Sequence, residues 1–442
     1  MKPIAKNEKL QREFFRVELE GLIDKTHPLA KLSGLIDWQK ISDEFGVYYH
    51  EHMGRPGKPV RLMAGLLLLQ HTFKCSDEEI VARFVENPYY QYFCGNDFFE
   101  HRLPIDPTAL IKWRKRIGKE GCEKILKLTL DAGLKSQTIK AGDFKRTIVD
   151  TTIQEKNIAY PTDSGLYLKA LEKMVLKAKE SGLKLRQTYT RTARHLASQI
   201  SRYAHAKQYK RMNRALKTLK ILVGRVYRDI TRKIKKEEIS SQWEELLGLV
   251  FRLLQAPAKD KLYSLHAPEV LCFSKGKSRK RYEFGDKVSI AVTHKQGFVM
   301  GMESLSGAPY DGHTLKGALE HVQRLTDQMP EEVFVDRGYK AHGITQTDVF
   351  MSGQKRVSSS LKKRIKRRSA IEPVIGHMKM DGKLGRNYLK GTLGNTFNAC
   401  LSGAGYNLRL VLKKIKLSFL DVLPRIFYLK RPSPFSRPLF LS

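Results

Sequence analysis

Arg146-Thr-Ile-Val-Asp150 (RTIVD) and Glu332-Val-Phe-Val-Asp336 (EVFVD) are two short runs of β-branched and aromatic residues, each stopping on an aspartate. Such runs read as buried strands, and α/β sheets place ligand-binding side chains where their strands end. Asp150 and Asp336 are therefore expected to be partners. The first run continues as TTIQEKNIAYPTD to Asp163, and the chain then turns helical from Gly165 to about Gln255. After Ala256-Pro257 strands return: Tyr282–Thr293 and Phe298–Glu303 form a hairpin around His294-Lys-Gln-Gly297. Asp311-Gly-His-Thr314 reads as an N-cap for an amphipathic helix, Leu315–Gln328, with Leu315, Leu319, Val322 and Leu325 on one face, ahead of EVFVD. Helices around Ile371–Met380 and Asn398–Lys414 complete the body. The order strand, helical insert, hairpin, helix, strand, helix predicts a mixed α/β fold.

Residues 1–140 read as helical. Val60–Phe73 is an apolar helix, Ser76-Asp-Glu-Glu79 is a capping box opening Ile80–Glu86, and Asp106-Pro107 starts Thr108–Ile117. That last helix carries Lys112, Arg114, Lys115 and Arg116 beside Trp113, and helix-turn-helix docking against DNA would use those cations. Equally, Leu110, Trp113 and Ile117 at i, i+3 and i+7 form a core stripe that leaves the cations solvated.

Lys plus Arg number 81 and Asp plus Glu 45 in 442 residues, a net charge of +36 that points to nucleic acid as partner. With 41% hydrophobic and 29% charged residues the chain is not a disordered polycation. The longest apolar stretch, Ala64–Leu69, falls far short of the roughly 20 residues a membrane span needs, and the first thirty residues lack an apolar leader core. A cytoplasmic, nucleoid-associated protein without membrane contact is expected. The five cysteines are scattered, with no C-x-x-C pair, which argues against a disulfide framework or a zinc site. Between 165 and 236 there are 21 Lys or Arg against 3 Asp or Glu, so half of the net charge lies in the helical insert. Long basic helices following a phosphate backbone are expected there, rather than a merely solvated pair.

A third acid, Glu372, stands in RRSAIEPVIGHMK with thirty-five residues between it and Asp336. On a helix it shares a face with Gly376 and Lys379, beside a stripe of Ile371, Val374, Ile375 and Met378. Three carboxylates in a strongly positive protein have a physical logic. Hard oxygen ligands hold Mg²⁺ or Mn²⁺, and two such ions clamp the attacking and leaving oxygens of a phosphodiester. Each acid also has a structural alternative: Asp150 and Asp336 as turn caps, and Glu372 as the end of a capping box from Ser369. Asp163 and Asp311 read as N-caps outside the metal set, and His313 as a turn or core residue.

IVDTTIQEKNIAYPTD, YEFGDKVSIAVT, DGHTL, VFVDRGYKAHG and RRSAIEPVIGHMK together resemble the DDE transposases of bacterial insertion sequences, particularly insertion-sequence family 5 within the broader family 4/5 group. PIDPTALIKWRKRIG resembles that family's N-terminal helical domain. The resemblance implies a ribonuclease-H-like core with Asp150 on the first strand, Asp336 after the fourth and Glu372 on the following helix, together binding two Mg²⁺ or Mn²⁺ ions. It also implies cleavage of double-stranded DNA at terminal inverted repeats, 3′-hydroxyl transfer into target DNA, and a homodimer in the synaptic complex. Arg368 and Lys379 match the family's phosphate-contacting positions around the glutamate, while Ile365 stands where the family has Tyr. The implied layout is a DNA-binding domain over 1–140, a catalytic domain over 141–422 with a basic helical insertion at 164–269, and a C-terminal arm at 423–442. The insertion is expected to clamp end DNA or support the synapse. A non-joining nuclease and an inactive DNA-binding repressor are the competing expectations.

Overall fold

RTIVD and EVFVD lie side by side in the computed structural model, which describes Lys2 and residues 17–50, 56–234, 241–255, 261–274 and 281–428. β1 (Arg146–Glu155) runs parallel to β5 (Glu332–Val335), and β5 parallel to β6 (Asp348–Met351). On the other side β3 (Tyr282–Thr293) neighbours β1 and pairs antiparallel with β4 (Val299–Leu305). The sheet is mixed, in the order β4-β3-β1-β5-β6, and β2 (Leu271–Ser274) pairs with Tyr282–Gly285 at the start of β3. The hairpin expected from sequence is present. The apolar runs are buried on both sides: Ile148, Val149, Val333, Phe334 and Val335 are each 1% exposed or less. That burial fits near-continuous apolar composition better than alternation.

The chain divides into two compact units, and the division differs from the expected domains. The first unit holds residues 1–154, 287–387 and 393–442, so the N-terminal helices and the sheet share one unit rather than separating at 140. Its interior shows why. Cys400 Sγ donates to the Cys122 carbonyl at 3.1 Å, Lys383 Nζ to the Cys75 carbonyl at 2.6 Å, and Arg409 to the His71 carbonyl at 3.1 Å. A Cβ on Gly133 would meet Phe298 at 2.7 Å, so a glycine lets the N-terminal helix lie against the hairpin. Asn407, fully buried, accepts from Val299 N–H at 2.8 Å and donates to Val299 C=O at 2.9 Å and to Thr129 Oγ1 at 3.1 Å.

The helix Asp77–Glu86 opens with the expected capping box, Ser76 and Glu79 exchanging side-chain and backbone bonds. Thr108–Lys135 is two helical segments joined at Gly118, whose φ of 60° and ψ of −164° break the ladder. A further helix, Pro88–Phe93, intervenes between Asp77–Glu86 and Thr108, which departs from a simple helix-turn-helix.

The second unit, residues 155–286 with 388–392, is wider than the expected insertion at 164–269 because it includes β2 and the start of β3. Its helices Asp163–Glu180, Thr190–His205, Tyr209–Lys233 and Ser241–Gln255 close on a core including Leu171, Met174, Leu219, Val223, Ile230, Trp243 and Val250. Tyr209–Lys233 turns Leu219, Val223, Val226 and Ile230 inward. Lys210, Arg214, Lys217, Arg225, Arg228 and Arg232 are exposed, and their 3.6-residue periodicity puts them on the opposite face. Of the expected C-terminal arm, residues 423–428 belong to the helix Gly391–Tyr428, and 429–442 lie outside the described residues. All five cysteines are free thiols, and no described helix is long and apolar enough to cross a membrane.

Candidate active site

Strand register brings the first two acids together. Ile148 of β1 pairs with Phe334 of β5, and two residues further along each strand stand Asp150 and Asp336. Because side chains alternate with period two, both acids project to the same face of the sheet. Asp150 does not end its strand as expected, since β1 continues to Glu155; it stands where β5 has already stopped. Asp150 Oδ1 accepts from the Thr151 amide at 2.8 Å. Asp336 caps the 3₁₀ turn Arg337–Tyr339, its Oδ1 accepting from the Arg337 amide and the Ser352 hydroxyl, both at 2.8 Å.

Glu372 joins them through one guanidinium. Arg368 Nη1 lies 3.7 Å from Asp150 Oδ2 and 3.8 Å from Asp336 Oδ2, while Nη2 donates to Glu372 Oε1 at 3.3 Å. The first two distances hold the aspartate oxygens within about 7.5 Å of each other. The capping box that was the structural alternative for Glu372 does not form. Ser369 Oγ donates to the Lys366 carbonyl at 3.2 Å and the helix Ile371–Met380 starts without a side-chain cap, which leaves the Glu372 carboxylate to Arg368. Ile371, Val374 and Met378 are buried and fix that helix on the core. Ile365 is also buried, so it presents no surface for base stacking.

The two aspartates are pushed in opposite directions. Burial raises the Asp150 carboxyl above the ordinary range, aided by the charges of Asp336 and Asp311 and opposed by the Thr151 amide and Arg368. Burial also works to raise Asp336, but the Ser352 hydroxyl, the Arg337 amide and the Arg368 and Arg337 guanidinia outweigh it and hold that carboxyl low. Three carboxylates about one positive charge are a hard-oxygen donor set suited to Mg²⁺ or Mn²⁺. Arg368 Nη1 is buried and makes no hydrogen bond, so the acids already face a loosely held cation. No described group of three acid, His or Cys side chains stands at metal-binding spacing. An ion held by all three acids would need the guanidinium to withdraw and the acids to come closer.

A fourth acid was missed in the sequence. Asp311 is not the N-cap of its helix: Tyr310 is, with no side-chain cap bond, and Asp311 is the first helical residue. Its Oδ1 accepts from Thr151 Oγ1 at 2.8 Å and pairs ionically with Lys287 Nζ at 2.6 Å. Asp163 is likewise displaced by Thr162 as the cap. His313 is exposed, edge-on to Tyr310, and not a core residue.

Of the cations expected to touch DNA, Lys112, Lys115 and Arg116 are exposed, and Arg116 lies 4.9 Å over the Tyr49 ring. Arg114 is a correction. It is buried, bonding Asp77 at 2.5 and 2.8 Å and Gln70 at 3.1 Å, so its charge is neutralised inside the protein. Leu110, Trp113 and Ile117 form the core stripe, with Trp113 donating to Tyr49 Oη at 2.9 Å. Lys379 is half-buried, on the Glu372 helix.

A family model described as a transposase domain (DUF772) matches residues 17–116, the helical part of the first unit. Over 199 residues, 45% of this chain and 96% of the relative, it is 47% identical to "Uncharacterized protein ORF8 in nfe locus" of Rhizobium meliloti. The chain belongs to the same family as that uncharacterized protein, and the domain match over residues 17–116 makes it transposase-related. No solved structure matches it.

Proposed function

We propose that this protein is a metal-dependent DDE transposase that cuts double-stranded DNA at the terminal inverted repeats of an insertion sequence and joins the 3′-hydroxyl ends to target DNA. The observation that carries the proposal is the meeting of Asp150, Asp336 and Glu372 at Arg368. A ribonuclease-H-like core is supported by the placement of the acids, on the first strand of the unit's sheet, after its fourth, and on a later helix. Asp150, Asp336 and Glu372 would hold two Mg²⁺ or Mn²⁺ ions, which supply an activated water or hydroxyl and stabilise the leaving oxygen. Asp150 and Asp336, on one sheet face, set the line of displacement. Arg368, released from the acids, turns to a phosphate oxygen, and Lys379 contacts a second.

Pairing two element ends takes two such sites, so the working form with DNA is a homodimer. The test uses pre-cleaved and uncleaved end DNA with the full chain. Asp150→Asn, Asp336→Asn and Glu372→Gln each abolish nicking while leaving DNA binding within about twofold. Strand-transfer product separates a transposase from a nuclease that only cleaves. Activity unchanged in all three variants ends the proposal in favour of an inactive DNA-binding relative.

A further inference from the structure

We infer that Asp311 is a positioning residue that holds the two aspartate-bearing strands in register for cation binding, acting through Thr151 and Lys287. The inference rests on the metal-dependent reading above and extends it to a residue outside the acid triad.

Asp311 touches each element that carries or flanks an aspartate. Its Oδ1 takes a hydrogen bond from Thr151 Oγ1, the residue next to Asp150 on β1, at 2.8 Å. The same oxygen forms an ion pair with Lys287 Nζ on β3 at 2.6 Å, and Lys287 donates to the Pro309 carbonyl at 2.7 Å. On the third side its Oδ2 lies 3.4 Å from where a Cβ would stand on Gly338, two residues after Asp336. The next residue, Gly312, presses on the same loop: a Cβ there would stand 2.4 Å from the Lys340 carbonyl oxygen and 2.9 Å from the Tyr310 ring. A glycine is needed for the helix start to approach the segment behind Asp336 so closely. Thr314 Oγ1, bonded to the Asp311 carbonyl at 2.7 Å, fixes the first turn from within.

Capping does not explain this arrangement, because the carboxylate accepts nothing from its own helix's amides. Nor does surface charge, since the Lys287 side chain is only 14% exposed. A half-buried carboxylate tied to a largely buried lysine side chain and a strand hydroxyl is expensive to assemble and resists movement once assembled. It therefore fixes the gap between Asp150 and the loop after Asp336, the gap that a shared cation has to span.

The test is Mn²⁺ binding to the full-length protein without DNA, read from the free-ion electron paramagnetic resonance signal. The wild type, Asp150→Asn, Asp311→Ala, Asp311→Asn and Thr151→Val are compared, each checked by circular dichroism and thermal melting. Asp311→Ala is expected to weaken binding by about tenfold or more, the usual scale for losing an outer partner of a metal ligand. Thr151→Val weakens it less. Asp311→Asn, which keeps the acceptor oxygen, recovers part of the loss while its melting point stays near that of Asp311→Ala. Wild-type affinity in Asp311→Ala, alongside weakened binding in Asp150→Asn, overturns the inference and leaves the metal site standing. Recovery in Asp311→Asn that simply tracks melting temperature also overturns it, because the residue is then structural only. No Mn²⁺ binding by the wild type, or none lost in Asp150→Asn, removes the metal reading and this inference with it.

Discussion

Asp150 stands in a place where burial disfavours its charge, and this gives its replacement an unusual sign. A carboxyl whose folded-state pKa is raised binds its proton more tightly in the native state. Its contribution to stability is then fully present below the unfolded pKa and is lost as pH rises through the folded value. Without metal, Asp150→Asn is accordingly expected to melt higher than wild type at pH 7, with the advantage fading as the pH falls through the raised folded value and gone by about pH 4. A lower melting point at pH 7 contradicts the assignment of burial as the dominant influence. Arg114 gives the opposite prediction. Arg114→Ala strands the Asp77 carboxylate among buried groups and should cost about 3–5 kcal/mol by urea unfolding, whereas Lys112→Ala and Lys115→Ala cost under about 0.5 kcal/mol. The convergence of Asp150, Asp336 and Glu372 on Arg368 follows from features legible in the sequence, because two of these acids stop apolar runs and the third sits in a recognisable spacing. Asp311 was not, because an acid before Gly-His-Thr and an amphipathic run looks identical to a helix cap until β1 and β3 are seen to converge on it. Arg114 was misread for a related reason: in sequence it is one cation among four, and only the facing Asp77 sets it apart.

Long elements with one clear period were the readable ones. Tyr282–Thr293 and Ile371–Met380 appear with the boundaries expected from sequence, the first marked by its turn and the second by its buried stripe. The four-residue strands β2 and β6 were missed. Runs as short as LCFS and DVFM lack enough residues to establish alternation, and their identity as strands comes from the neighbours that bond them. Asp77–Glu86 tests whether a local signal carries real stability: Ser76→Ala removes one half of its capping box and should cost about 1 kcal/mol in a denaturant titration. The insert offers a test of partner chemistry. Neutralising Lys210, Arg214, Lys217, Arg225, Arg228 and Arg232 to Gln should flatten the dependence of DNA affinity on salt by up to about 0.9 in log–log slope for each phosphate no longer neutralised. An unchanged slope in fluorescence anisotropy would assign that face to something other than a phosphate backbone.

The first unit gathers three separate stretches of chain, and its boundaries could not be read from composition. Charge and helix content change near residue 140, yet the helices before it are packed into the sheet that follows. A fragment beginning at 141 should therefore lack a cooperative thermal transition, because it exposes Phe298 and strips Asn407 of Thr129 and Cys400 of the Cys122 carbonyl. Asn407 bears on a different matter. The outer strand of a sheet offers bare amides and carbonyls to any chain that passes, and proteins commonly guard it with charge, proline or a bulge. Here a single side chain from a helix answers both the donor and the acceptor of Val299, imitating the peptide group of a strand that is not there. A second molecule cannot graft itself onto the sheet at that point, which shields the chain from stacking edge to edge into fibres.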